Sequence, residues 1–168
     1  MKYLFALIFI LVFIFFDNSI GYTNTSPTYT HLTYMFQHSN IIHLIINSFA
    51  FIGMFRVMER FVNKWTLPAL IILTAFASSF LSMYDIPTVG ASGMIYAMIG
   101  MFFGLIISGE APIKIDKKKM SMFIFMVLFS LIISFFKQNS NFVLHIYCMI
   151  IGAYFQANYM IIEWMVKE

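Results

Sequence analysis

A few polar side chains in an otherwise apolar chain have the types that acyl transfer requires. Ser92 stands between two glycines in Gly90-Ala91-Ser92-Gly93, His145 lies in a later apolar run, and His43 and Asn47 are four residues apart in an earlier one. Acyl transfer needs a nucleophile, a base within hydrogen-bond reach, and donors aimed at a developing oxyanion. A serine, a histidine and an amide can supply these. Each residue also has a plainer reading. Small residues such as Gly90, Ser92 and Gly93 let helices approach closely. A lone histidine in a span commonly hydrogen-bonds a neighbouring helix, and Asn47 can do the same. Tyr96 and Gly100, four and eight residues after Ser92, fit an ordinary packing stripe. A zinc cluster of His31, His38 and His43 is disfavoured, because intervals of seven and five residues miss the His-x3-His spacing of zinc helices. No metal and no cofactor are expected.

The choice between these readings depends on the elements that carry the residues. The 168-residue chain is 61% hydrophobic and only 10% charged, with a mean hydropathy of +0.87. A soluble domain carries about a quarter charged residues, so the excess apolar surface points to an integral membrane protein. The net charge of +3 is scattered among apolar segments, a pattern of membrane orientation rather than nucleic-acid binding. Cys148 is the single cysteine and cannot form an internal disulfide. Residues 1–168 read as one compact transmembrane domain. A span needs about 20 mainly apolar residues, and six stretches come close: Tyr3–Phe16, Ile41–Phe55, Trp65–Tyr84, Ala91–Ser108, Met120–Phe136 and Phe142–Met165. The first has a rival reading as a signal peptide cleaved after Ser19-Ile20-Gly21. Its length and its crowding with Phe, Leu and Ile favour a retained helix.

Charge asymmetry then orients the spans. In a six-span arrangement Lys2, Arg56, Arg60, Lys64, Lys114, Lys117, Lys118, Lys119 and Lys167 fall on one side and Lys137 alone on the other. The positive-inside rule makes the first side cytoplasmic, with both termini inside. His43 and Asn47 then lie near the outer end of the second span, Ser92 opens the fourth, and His145 stands about one turn into the sixth. Polar groups are expensive in lipid and mark function by default. Their convergence at one depth from three helices outweighs the packing reading of any one of them.

Assembled in this order, the residues resemble the rhomboid family of intramembrane serine proteases over most of the chain, from about Thr33 to Gly152. His38, His43 and Asn47 are similar to the family's His-x4-His-x3-Asn pattern, followed by Gly53 and Glu59. Gly90-Ala91-Ser92-Gly93, with Tyr96 and Gly100 after it, resembles the nucleophile motif, and His145 with Gly152 resembles the catalytic-histidine helix. Two positions depart from the pattern: Cys148 replaces a usual glycine, and Tyr29-Thr30 stands where a Trp-Arg pair is common.

The resemblance implies an all-α membrane protein of the minimal six-helix form. It implies a Ser92–His145 dyad, an oxyanion hole of Asn47, His43 and the Ser92 backbone N–H, and Tyr96 beneath His145. Gly90, Gly93, Gly152 and His38 support this centre. No carboxylate is well placed to orient the base, so a dyad also follows from topology. Gln37, His38, Ser39 and Asn40 are expected around a small polar cavity that admits water. The fifth span carries no expected site residue and is the implied side of substrate access. Implied partners are transmembrane protein substrates and membrane lipid, with no nucleic acid. The implied location is a bacterial plasma membrane, with the site toward the outer face. A pseudoenzyme that escorts membrane proteins is the main rival, although such relatives typically lose the serine or histidine kept here. A transporter subunit would need inverted repeats or charges in its spans, and neither is found.

Overall fold

A computed structural model describes residues 1–17, 20–82, 84–108, 116–137 and 140–167, the last eight as backbone only. Ser19 of the candidate cleavage site, and Lys114 of the basic loop, lie outside the described residues. The described chain is all-α. Its helices are α1 (Lys2–Phe15), α2 (Thr30–Thr33), α3 (Ile41–Met58), α4 (Thr66–Ser79), α5 (Ser92–Ile107), α6 (Lys117–Phe136) and α7 (Phe142–Lys167). Among the described residues α3 and α6 are long and apolar enough to cross a membrane on length and composition. The helices α1, α4 and α5 are apolar but only 14 to 16 residues long. The short α2, within the loop between α1 and α3, adds to the six helical stretches read from the sequence.

Polar side chains start α3 and α7, two of the helices that carry the site. Asn40 Oδ1 accepts from the His43 N–H at 2.9 Å, which caps α3. Asn141 Oδ1 accepts from the Leu144 N–H at 3.0 Å at the start of α7. The Asn141 amide also donates to the Tyr22 hydroxyl, the Ser82 carbonyl and Thr88 Oγ1, at 2.9, 3.1 and 3.1 Å. One buried side chain thus ties the start of α7 to the first loop, to the turn after α4 and to the segment before α5. An isolated bridge between Tyr22 and Thr88 closes the same corner. At the opposite ends of α1 and α3, Lys2 pairs with Glu59.

The helices α5 and α7 form the most intimate pair, flanked by α3 and α4. Glycine permits this. A Cβ at Gly100 would overlap the Met149 carbonyl, and one at Gly152 would overlap the Ala97 carbonyl. Backbone meets backbone at both points, so no side chain can yield. Phe5 and Phe9 of α1 fill against Phe51 and Phe55 of α3, with Phe36 beside them. The helix α6 stands apart: Val127 and Ser134 are its buried residues, and its neighbours are few, on α5 and α7.

Candidate active site

Ser92 is the first residue of α5, where unpaired backbone N–H groups favour negative charge. The chain enters this helix through Gly90, whose φ of +123° disfavours any side chain. The Gly90 N–H donates to the Tyr34 carbonyl at 2.9 Å, and the Ala91 N–H donates to His38 Nε2 at 3.4 Å. Burial pushes His38 down to about 3, with the nearby His43 adding to the shift. The ring is therefore neutral and can accept that bond. Space is a second constraint on the turn. A Cβ at Gly90 would lie 2.7 Å from His43 Cε1 and 3.3 Å from Asn47 Nδ2. A Cβ at Gly93 would lie 2.7 Å from the Tyr34 hydroxyl and 3.5 Å from Cys148 Sγ. The turn is pressed against α3 on one side and the Tyr34–Cys148 wall on the other.

His145 enters from α7 and is only 7% exposed. Its Nε2 is 3.0 Å from Ser92 Oγ. Its ring stacks on Tyr96, with centroids 4.2 Å apart and planes 24° from parallel, so the tyrosine one turn along α5 forms a floor beneath the imidazole. Gly152, two turns along α7, is the point at which that helix touches the Ala97 backbone. Asn47 is 6% exposed, and among the described residues its Nδ2 has no hydrogen-bond partner. A buried, unsatisfied donor in the same cleft lining as Ser92 is costly unless something arrives to accept from it. His43 Nδ1 lies 3.1 Å from Ser39 Oγ. When that hydroxyl donates, the His43 proton sits on Nε2, the atom turned toward Gly90.

Two cavities meet at the Ser92–His145 pair. One, of about 680 Å³, is an apolar cleft between α3 and α6 whose walls include Ile46, Met54, Phe123 and Val127. The other, of about 380 Å³, is lined by Ser39, Asn40, His43, Lys137, Ser140 and Asn141. Of the four residues expected around a polar cavity, Ser39 and Asn40 line this one. Gln37 and His38 do not, because both are buried in the wall behind it. Gln37 donates to the Phe16 carbonyl at 2.5 Å and accepts from the His38 N–H at 2.8 Å, holding the loop instead.

The expectation that the span of α6 contributes nothing to the site is corrected. Ser134 Oγ lies 2.9 Å from His145 Nδ1 and 2.7 Å from Ser140 Oγ, and Ser130 Oγ lies 2.8 Å from the Tyr96 hydroxyl. The sequence does carry a signal for this. Ser130 and Ser134 are four residues apart in a run otherwise dominated by Phe, Ile and Leu, which sets them on one helix face.

No curated protein matches the chain. A family model described as the rhomboid domain matches residues 25–161. That stretch contains the Gly90 turn, Ser92, His145, His43, Asn47, Ser130 and Ser134, and over it the chain belongs to the rhomboid family of intramembrane serine proteases.

Proposed function

We propose that this protein is an active intramembrane serine endopeptidase that cuts peptide bonds in or near the transmembrane segments of other membrane proteins. The observation that carries the reading is the 3.0 Å approach of Ser92 Oγ to His145 Nε2 where an apolar cleft meets a polar cavity. Ser92 attacks the scissile carbonyl and His145 takes its proton at Nε2, then returns it to the leaving amine. The tetrahedral oxyanion forms within reach of Asn47 Nδ2, His43 Nε2 and the Ser92 N–H. Water then attacks the acyl-enzyme, with His145 again the base, and the free serine is restored. This chemistry calls on no metal or cofactor.

The two cavities divide the substrates. A transmembrane segment approaches through the apolar cleft between α3 and α6, whose walls match lipid-facing side chains. Water arrives through the polar cavity. A helix must open before its carbonyls can be attacked, so small or helix-breaking residues near the cut favour cleavage. The chain forms one domain with six membrane-crossing helices, α1 and α3 to α7, both termini cytoplasmic and the site toward the outer face. The charge bias supports this, since Lys137 is the one basic residue at the site's end of the helices.

Cleavage of a model transmembrane substrate in liposomes tests the reading. The wild-type protein cuts it, and Ser92→Ala and His145→Ala do not while still folding. Equal cleavage by Ser92→Ala would refute the catalytic assignment.

A further inference from the structure

His145 can accept the Ser92 proton only if its own proton resides on Nδ1, because a neutral imidazole carries one N–H and one lone pair. Free imidazole has no reason to hold that arrangement, and a serine hydrolase ordinarily imposes it with a carboxylate on Nδ1. Among the described residues no carboxylate reaches His145. The atom found there is Ser134 Oγ, at 2.9 Å. A hydroxyl has one donor and two acceptor positions, so Ser134 can accept from Nδ1–H while its own hydrogen turns to Ser140 Oγ, 2.7 Å away. Ser140 lines the polar cavity. The result is a directed chain from Nδ1 through Ser134 and Ser140 to the wet side of the site. It spreads the charge that His145 gains when Nε2 takes the serine proton.

The place of Ser134 in the fold matters as much as its chemistry. It is one of two buried residues on α6, a helix whose other side chains are largely turned away from the protein. Among the described residues, the hydrogen bonds from α6 side chains to other elements are those of Ser130 to Tyr96 and of Ser134 to His145 and Ser140. Two hydroxyls one turn apart thus grip the base and the ring on which it stacks. The same helix forms one wall of the apolar cleft.

We propose that Ser134 is a positioning residue that orients His145 through Nδ1, so that the base is set for proton transfer only while α6 is docked against α7. The role rests on the protease reading above, and its test separates the two. Histidine ¹⁵N NMR on the full chain in nanodiscs, with His145→Gln for assignment, reports which ring nitrogen carries the proton. The wild type shows the Nδ1–H form. Ser134→Ala shifts the proton toward Nε2, and Ser134→Thr, which keeps a hydroxyl, retains Nδ1–H. In the liposome assay Ser134→Ala lowers kcat roughly ten- to hundredfold, the span for losing a hydrogen bond to a group that becomes charged. KM stays within about twofold, and Ser134→Thr recovers most of the rate. An unchanged tautomer and unchanged kcat in Ser134→Ala would overturn the proposal while leaving the protease reading intact. A tautomer shift in a protein that shows no Ser92-dependent cleavage supports the hydrogen-bond role and overturns the protease reading instead.

Discussion

Gly152→Ala isolates what the contact between α5 and α7 does for catalysis. The added methyl would overlap the Ala97 carbonyl and crowd its carbonyl carbon at 3.1 Å. Its obstacle is backbone, so relief requires the two helices to part by about 1 Å to reach ordinary contact distances. Overpacking of this kind costs about 1–3 kcal/mol. The effect on rate is larger in proportion. Gly152 lies seven residues beyond His145, about 10 Å along the same helix, so parting at Gly152 draws the imidazole from a serine now 3.0 Å away. A misplacement of about 1 Å costs about 10²-fold in rate. Stability is read by denaturant unfolding in mixed micelles, and rate by the liposome assay. Gly53→Ala supplies the stability contrast, because a Cβ there has nothing within 4 Å. Within α3 it should stabilise by roughly 0.5–1 kcal/mol. A Gly152→Ala protein as stable and as fast as wild type would show that the helix contact is looser than described and that the site tolerates its loss.

Two further outcomes follow from the site. Asn47→Ala should lower kcat by about 10²–10³ with little change in KM, as expected for one oxyanion donor; an unchanged kcat would remove the amide from the oxyanion hole. His38, in the loop before α3, is held neutral down to about pH 3, whereas an unfolded histidine protonates near 6.5. Its contribution is complete above about pH 6.5 and declines as pH falls toward 3, by at most about 1.4 kcal/mol per pH unit. His31, stacked between Tyr22 and Phe80 and likewise lowered by burial, acts in the same direction. Unfolding of wild type and His38→Gln at pH 7.5 and 5.5 checks this: the wild type loses more stability, and equal losses in both proteins would refute the assignment to His38.

Much of the helical layout is legible in the sequence. Apolar runs long enough to leave water mark where helices lie, and α1 and α3 to α7 fall on the six runs. The i, i+4 spacing of His43 and Asn47 puts both on one face, and the charge bias leads to the expectation that Ser92 and His145 lie at one level, as their 3.0 Å contact requires. Composition therefore determined the class of protein, and spacing determined which polar groups share a helix face. Which face of each helix meets which neighbour was not legible. In an apolar helix such as α6, lipid-facing and protein-facing surfaces share the same residue types, because lipid is as apolar as leucine. Ser130 and Ser134 could be seen to share a face, but not that this face meets Tyr96 and His145. Gln37 and His38 read as cavity residues because they are polar and near the site, yet both are buried, Gln37 on the Phe16 carbonyl and His38 on the Ala91 N–H. Asn141 is one polar residue in a loop by sequence, and in the fold it joins four segments. Helical period gives the direction of a side chain about its own axis. Only the close approach of α5 and α7 at Gly100 and Gly152, where backbone touches backbone, decides what lies in that direction.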